Sequence, residues 1–329
     1  MEKTYRTKRP PYGFRFLDPE NTHNLEKTRR KIQDLLNEEK YQPVTPATID
    51  FPETFETYES YSSFRFRDSL GEDLWLRSDA TVQVMKGFAN LIERTSTQKT
   101  EANYYYFLPV FRDIRKNYPK NREVYQVGVE SIGQSAEQCV PNLLVIVDKI
   151  MKSIFKRECK ILLGDVAIFN YISDVWANEN LKEICLKRDV PALNEALISL
   201  GWSEDSAHEI SCLLLIPPSL GVWKQRWKNL KTIIKNPDQR AVAEQIEIKC
   251  EKLITLTEKM SELSIEVSWE PLLIRNVNYY TGFIFEGYVS GSPQALLRGG
   301  SYDNLVSKYA NMDLPASGFA MDVSSLITL

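Results

Sequence analysis

Histidine is almost missing from this chain: only His23 and His208 occur among its 329 residues. A His-rich metal site is thereby excluded, and a nucleophilic triad centred on an imidazole is not expected. Cysteine is sparse too. Cys139, Cys159, Cys185, Cys212 and Cys250 are an odd number at irregular spacing, with no CxxC pair. That pattern suits neither a disulfide framework nor a zinc site; it suits reduced core thiols. No metal or cofactor is expected.

Long apolar runs are also absent. The most apolar stretch, Cys212–Ile216, stops at Pro217 and Pro218, whereas a membrane span needs about 20 apolar residues. The opening MEKTYRTKRPPYGF has no apolar signal-peptide region. Excess positive charge is lacking as well: 41 Lys+Arg face 44 Asp+Glu, a formal net charge of -3. A general nucleic-acid binder usually carries a strongly basic patch. The expectation is a cytoplasmic protein with no membrane partner and no tRNA partner.

What the chain does have is core material, with 43% hydrophobic and 11% aromatic residues. Its length fits two domains, or one large α/β domain with an insertion. After a Pro-rich basic lead-in, Leu25, Ile32, Leu35 and Leu36 recur at helical spacing, and Asn21 or Thr22 can cap that helix. Residues 102–112 and 124–132 are β-rich and flank a charged loop, 113–123, which predicts a hairpin. Residues 139–157 predict a helix and 160–165 a strand. From 172 to 262 the β-branched alternation disappears, which predicts a helical insertion. Strand character returns at 265–275 and 279–289 around a turn at 276–278. A helix from about 303, a strand near 316–321 and a short final helix close the chain. The expected class is α+β, an antiparallel sheet built from both ends of the chain, flanked by helices.

On the strand 124–132, alternation puts Val124, Gln126, Gly128 and Glu130 on one face. A buried carboxylate needs a partner, and a glycine lets something approach the backbone. This face is either a ligand floor or an open, solvated sheet face. The strand 279–289 places Tyr280, Gly282, Ile284 and Glu286 together. Arg275, just before the turn, is either a carboxylate-binding fork or a surface residue. Asp79 and Thr81 stand at a strand-to-helix junction, where Ser78 or Asp79 can cap the helix.

Five segments then carry a resemblance. VFRDIRKNYPKNREVYQVGVESIG (110–133) resembles motif 2 of class II aminoacyl-tRNA synthetases in its histidyl version. LRSDATVQ (76–83) is similar to the histidyl "LRPEGT" segment, and IRNVNYYTGFIFE (274–286) to the histidine-specific "RGLDYYTG.VFE". RGGSYDNL (298–305) resembles "GGRYDGL", and PASGFAMDVSSL (315–326) resembles motif 3. Pro46 fits the motif 1 proline. The five occur in family order. The resemblance implies a class II synthetase-like fold over 1–329 and a histidine pocket. In that pocket Glu130 and Tyr280 would face the imidazole, while Asp79, Thr81 and Gln126 would hold the α-amino group. Arg275 would meet the carboxylate and Tyr302 would close the site.

The departures carry as much information. Ser325 replaces the ATP-binding arginine of motif 3, and Asp322 stands where the family has glycine. Ile114 replaces the glutamate that would contact adenine, although Arg112 survives as a remnant nucleotide or anion contact. Asp79 is one methylene shorter than the usual glutamate. The sequence given runs to just after motif 3, and no anticodon-binding domain is expected. This set of traits resembles the regulatory-subunit family of ATP phosphoribosyltransferase. The resemblance implies a homodimer core, joined through motif 1, in a hetero-oligomer with the short-form catalytic subunit, HisG. It further implies histidine as feedback ligand and no catalysis by this chain. The enzyme-class alternative is a truncated synthetase-like ligase using ATP.

Overall fold

A computed structural model describes residues 8–55, 63–95, 100–114, 121–275 and 279–328. The chain divides into two units: Met1–Glu158 with Val277–Tyr279 and Tyr288–Leu329, and Cys159–Asn276 with Tyr280–Gly287.

The first unit opens with helix α1 (Pro19–Glu38). Asp18 caps it, accepting the Asn21 amide at 2.8 Å, and Pro19 occupies the first turn. A proline there has no amide to leave unpaired, so the helix starts before the expected Asn21 or Thr22. Leu25, Ile32 and Leu36 form its buried stripe. Strand β1 (Gln42–Pro43) and a small sheet follow, made of β2 (Ile49–Asp50), β3 (Arg65–Arg67) and β4 (Asp73–Leu76). Helix α2 (Thr81–Thr95) leads to the long hairpin β5 (Ala102–Phe111) and β6 (Glu123–Ile132). Of the loop between them, 115–120 lies outside the described residues. Helix α3 (Ala136–Ile150) runs into one π turn over Met151–Phe155 and stops at Lys156, whose φ is +56°.

The second unit begins with β7 (Lys160–Asp165). Helices then succeed one another as α4 (Val166–Trp176), α5 (Leu181–Lys187), α6 (Val190–Ser199), α7 (Glu204–Leu215), α8 (Leu220–Ile233) and α9 (Pro237–Glu262). Their core stacks Trp223 on Trp227 at 4.8 Å and sets Trp269 edge-on at 5.0 Å. Basic side chains of α8 are matched by acids of neighbouring helices: Arg226 forks onto Glu209, Lys224 meets Glu258, and Lys231 meets Glu247. Strand β8 (Val267–Trp269) pairs in parallel with β7. It is shorter than the expected 265–275, because Pro271 cannot donate to a ladder and the chain turns there, Leu273 bonding back to Glu270. Strand β9 (Phe283–Tyr288) also starts later than the expected 279–289; the turn expected at 276–278 lies outside the described residues.

The chain re-enters the first unit with β10 (Leu297–Ser301), β11 (Ala316–Asp322) and α10 (Val323–Thr328). The helix expected from about 303 is a series of turns instead. Leu305 and Tyr309 each bond three residues back, and Asp303 reaches across to the Ala316 amide. In this unit β6 is flanked by β5 and β11, and β11 pairs in turn with β10, all antiparallel; β1 adds to β5 in parallel. Strands from both ends of the chain thus share one sheet. Among the described residues no helix is long and apolar enough to cross a membrane.

Candidate functional site: a buried carboxyl on the sheet of the first unit

The site is built on the face of β6 that carries Gln126, Gly128 and Glu130. Directly opposed residues of antiparallel strands point the same way. Glu130 therefore shares its face with Tyr104 of β5 and Gly318 of β11. A Cβ on Gly318 would overlap the Glu130 carboxyl and the Tyr302 hydroxyl, so that glycine makes room for the cluster.

Glu130 is 0% exposed, and both of its oxygens are engaged. Thr81 Oγ1 donates to Oε1 at 2.8 Å, and the Tyr302 hydroxyl donates to Oε2. Tyr279 packs edge-on to Tyr302 with ring centroids 5.6 Å apart. Burial pushes the Glu130 carboxyl up to about 8, against the two hydroxyl contacts and with help from the negative charge of Asp79. A carboxyl with that affinity for protons is largely neutral at pH 7. It can then donate its own proton as well as accept, which is a useful property opposite a ring nitrogen.

Asp79 accepts the Thr81 amide at 2.6 Å and so sits at the N-terminus of α2. This helix start orients the Thr81 hydroxyl toward the sheet. Gln126 lies two positions from Gly128 on the same face and is buried, opposite Leu108 and Asp322. The structure thus brings Asp79, Thr81, Glu130 and Tyr302 into one cluster, with Gln126 on the same floor. Arg112, at the end of β5, points its Nε at the Ser78 carbonyl, 3.5 Å away. Arg275 and Tyr280 belong to the second unit, where Arg275 donates to the Tyr280 hydroxyl at 3.2 Å and pairs with Glu286 at 3.3 Å.

Three local arrangements were not readable in advance. The space that Gly128 vacates is filled: a Cβ there would overlap the ring of Tyr106 from β5. It is a neighbouring strand, not a ligand, that comes close. Arg77 is buried and donates to the carbonyls of Pro46, Ala47 and Pro109, holding three chain segments together below Asp79. Finally, Ser325 is bound to Asp322 through both amide and hydroxyl; the D-x-x-S spacing before a helix is the signal for that cap.

Comparison with known proteins agrees with this geometry. The family model described as histidyl-tRNA synthetase matches residues 13–326. A Leptospira interrogans protein named ATP phosphoribosyltransferase regulatory subunit is 29% identical, covering 96% of this chain and 92% of its own. A Halothermothrix orenii protein of the same name is 25% identical over 95% and 74% of the two chains. Among solved structures, an ATP phosphoribosyltransferase regulatory subunit/histidyl-tRNA synthetase from Bacillus halodurans superposes with a TM-score of 0.79 at 20% identity. It covers 98% of this chain and 83% of that one. The apo S. aureus histidyl-tRNA synthetase gives 0.65 at 18% identity, over 97% and 73%. A class II fold, its sheet flanked by helices, and a family match over nearly the whole chain place this protein in the histidyl-tRNA synthetase family.

Proposed function

We propose that this chain is a non-catalytic regulatory subunit of ATP phosphoribosyltransferase, which activates the short-form catalytic subunit HisG and conveys feedback by histidine. The names of its relatives support the regulatory role. The observation that carries the non-catalytic part is the Asp322–Ser325 pair. Where the synthetase motif would present an arginine to ATP stands Ser325, which donates its amide and hydroxyl to the Asp322 carboxylate at the start of α10. A carboxylate next to a triphosphate repels it, and no guanidinium replaces the lost charge-assisted contact.

In this reading the cluster around Glu130 is the histidine pocket, with Asp79, Thr81 and Gln126 for the amino end, Tyr280 beside the imidazole, Arg275 for the carboxylate and Tyr302 as its closure. Regulation is then linkage: histidine binds one state of the complex more tightly and shifts turnover at a distant site. The chain acts as a single class II domain with a helical insertion at 172–262, dimerised through α1 and the Pro46 segment by an isologous contact, in the cytoplasm.

The alternative, an ATP-using synthetase-like ligase, draws on two retained arginines, Arg112 beside the α2 start and Arg275. One experiment separates the two. Purified protein is assayed for histidine-dependent pyrophosphate exchange, then mixed with short-form HisG and assayed for phosphoribosyl transfer with and without histidine. The expected result is no exchange above a no-protein control, and HisG turnover that rises on mixing and falls with histidine. Clear exchange revives the ligase; no effect on HisG removes the regulatory reading.

A further inference from the structure

On the reverse of the sheet from Glu130, the first unit holds a cavity of about 60 Å³. Alternation along β6 puts Glu123 and Tyr125 on this side and Gln126, Gly128 and Glu130 on the other. Residues leading into α1, the first turns of that helix and the end of α10 complete the walls, where Leu17, Leu25 and Ile327 supply apolar surface. Ser324 ties α10 to the strand by accepting the Tyr125 amide at 2.8 Å. A single enclosed water needs roughly 10–15 Å³, so the recess suits a group of about four or five heavy atoms.

Some polar groups on these walls are bonded to their own neighbours: Asn21 to Asp18, and Thr328 to the Ser324 and Ser325 carbonyls. Three others are not. Arg15 engages only its Nε, on the Asn121 side-chain oxygen at 2.9 Å. That bond anchors the guanidinium and leaves its terminal nitrogens to donate elsewhere. Among the described residues, the Glu123 carboxylate has no ion-pair partner and the Tyr125 hydroxyl no hydrogen bond. Burial pushes the Tyr125 hydroxyl up, and the nearby Glu123 charge adds to the shift. A guanidinium and a carboxylate thus border one apolar recess without pairing with each other. A zwitterion completes both, its carboxylate on the planar arginine fork and its ammonium on the glutamate.

We propose that this cavity is a separate small-molecule site, taking a zwitterionic amino acid with a short branched aliphatic side chain. Arg15 holds the carboxylate, Glu123 the ammonium, and the side chain enters among Leu17, Leu25 and Ile327. The Tyr125 hydroxyl offers a further hydrogen bond at the mouth. The isobutyl group of leucine is of the size that the recess admits. The inference stands apart from the reading of the Glu130 face, which lies on the other side of β6 and shares none of these residues.

Calorimetric titration of the full-length protein tests it. The probes are L-leucine, 3-methylbutylamine, which lacks the carboxylate, and 4-methylpentanoate, which lacks the amine. They are titrated into wild type, Arg15→Met, Glu123→Gln and Ile327→Trp, with thermal melts to confirm that each variant is folded. Leucine should bind wild type more tightly than either analogue. Arg15 is exposed, so Arg15→Met should weaken leucine and 4-methylpentanoate roughly fivefold, the upper end for an exposed ion pair. It should leave 3-methylbutylamine unchanged. Glu123→Gln should weaken leucine and 3-methylbutylamine and spare 4-methylpentanoate. Ile327→Trp, which fills the recess, should abolish binding of all three. A wild type that binds no leucine overturns the inference, as does equal leucine affinity in wild type and both charge variants. A loss shared by all three probes in either charge variant overturns the assignment of the two ends. Leucine binding that survives Ile327→Trp and is displaced by histidine belongs to the Glu130 face, and overturns the inference while leaving that pocket standing.

Discussion

Ser325 donates its backbone amide to one carboxylate oxygen of Asp322 at 2.9 Å and its hydroxyl to the other at 2.7 Å. The two residues that depart from motif 3 are therefore partners of each other. Asp322→Ala should remove both acceptors at the start of α10 and cost about 0.5–2 kcal/mol, as loss of an N-terminal cap does. Ser325→Ala should cost less, since its amide still bonds. Urea denaturation of both variants checks the order; a larger loss for Ser325→Ala would contradict it.

The two-sided engagement of Glu130 predicts a binding effect. If histidine is the ligand, Glu130→Ala removes a charge-assisted or strong neutral hydrogen bond, worth roughly 1.5–3 kcal/mol. Affinity should drop roughly 10- to 150-fold by calorimetry. HisG activation without histidine should persist, because it depends on assembly and not on pocket occupancy. Unchanged affinity in a folded variant would move the regulatory site elsewhere.

Glu130 also predicts a pH dependence of stability. Its carboxyl titrates near 4.5 when unperturbed and is pushed up to about 8 by burial in the native protein. The native state therefore holds this proton more tightly than the unfolded chain. The associated stabilisation is complete below about 4.5 and declines as pH rises toward about 8. Glu130→Gln keeps the shape and cannot titrate, so its urea midpoint should fall less than that of wild type between pH 5 and pH 8. Parallel curves for the two proteins would show that Glu130 titrates normally.

Two glycines predict opposite signs. A Cβ at Gly318 meets the Val129 carbonyl as well as Glu130 and Tyr302, and a strand carbonyl cannot step aside. Gly318→Ala should destabilise by about 1–3 kcal/mol, as overpacking does. Gly87, inside α2, has open space around it, so Gly87→Ala should stabilise by up to about 1 kcal/mol. Differential scanning calorimetry of both decides; a neutral Gly318→Ala would mean that the site is looser than its packing.

Much of this was legible in the sequence because it is local. The period-2 pattern of 124–132 located β6 and put Gln126 and Glu130 on one face, and the spacing of Leu25, Ile32 and Leu36 located α1. What escaped depends on chains meeting at a distance. The occupant of the space above Gly128 comes from the opposing strand, and neither sequence distance nor composition names Tyr106. The three carbonyls that hold Arg77 come from two different segments. The helix expected from about 303 gives way to turns: Asp303 spends its carboxylate on the Ala316 amide, and Asn304, Val306 and Ser307 are weak helix formers. Segment resemblance located Arg275 and Tyr280, and the structure adds their mutual bond and the Glu286 partner.

The fit of Tyr106 over Gly128 constrains the order in which this protein can change. Any side chain added at 128 collides with the phenol ring while Tyr106 is present. A smaller residue at 106 opens a cavity that costs several kcal/mol but can still fold. The route through position 106 first is therefore passable, and the reverse route begins with a clash on a central strand. The two positions should behave as one mutational unit, with a double variant more stable than the sum of its single changes would suggest.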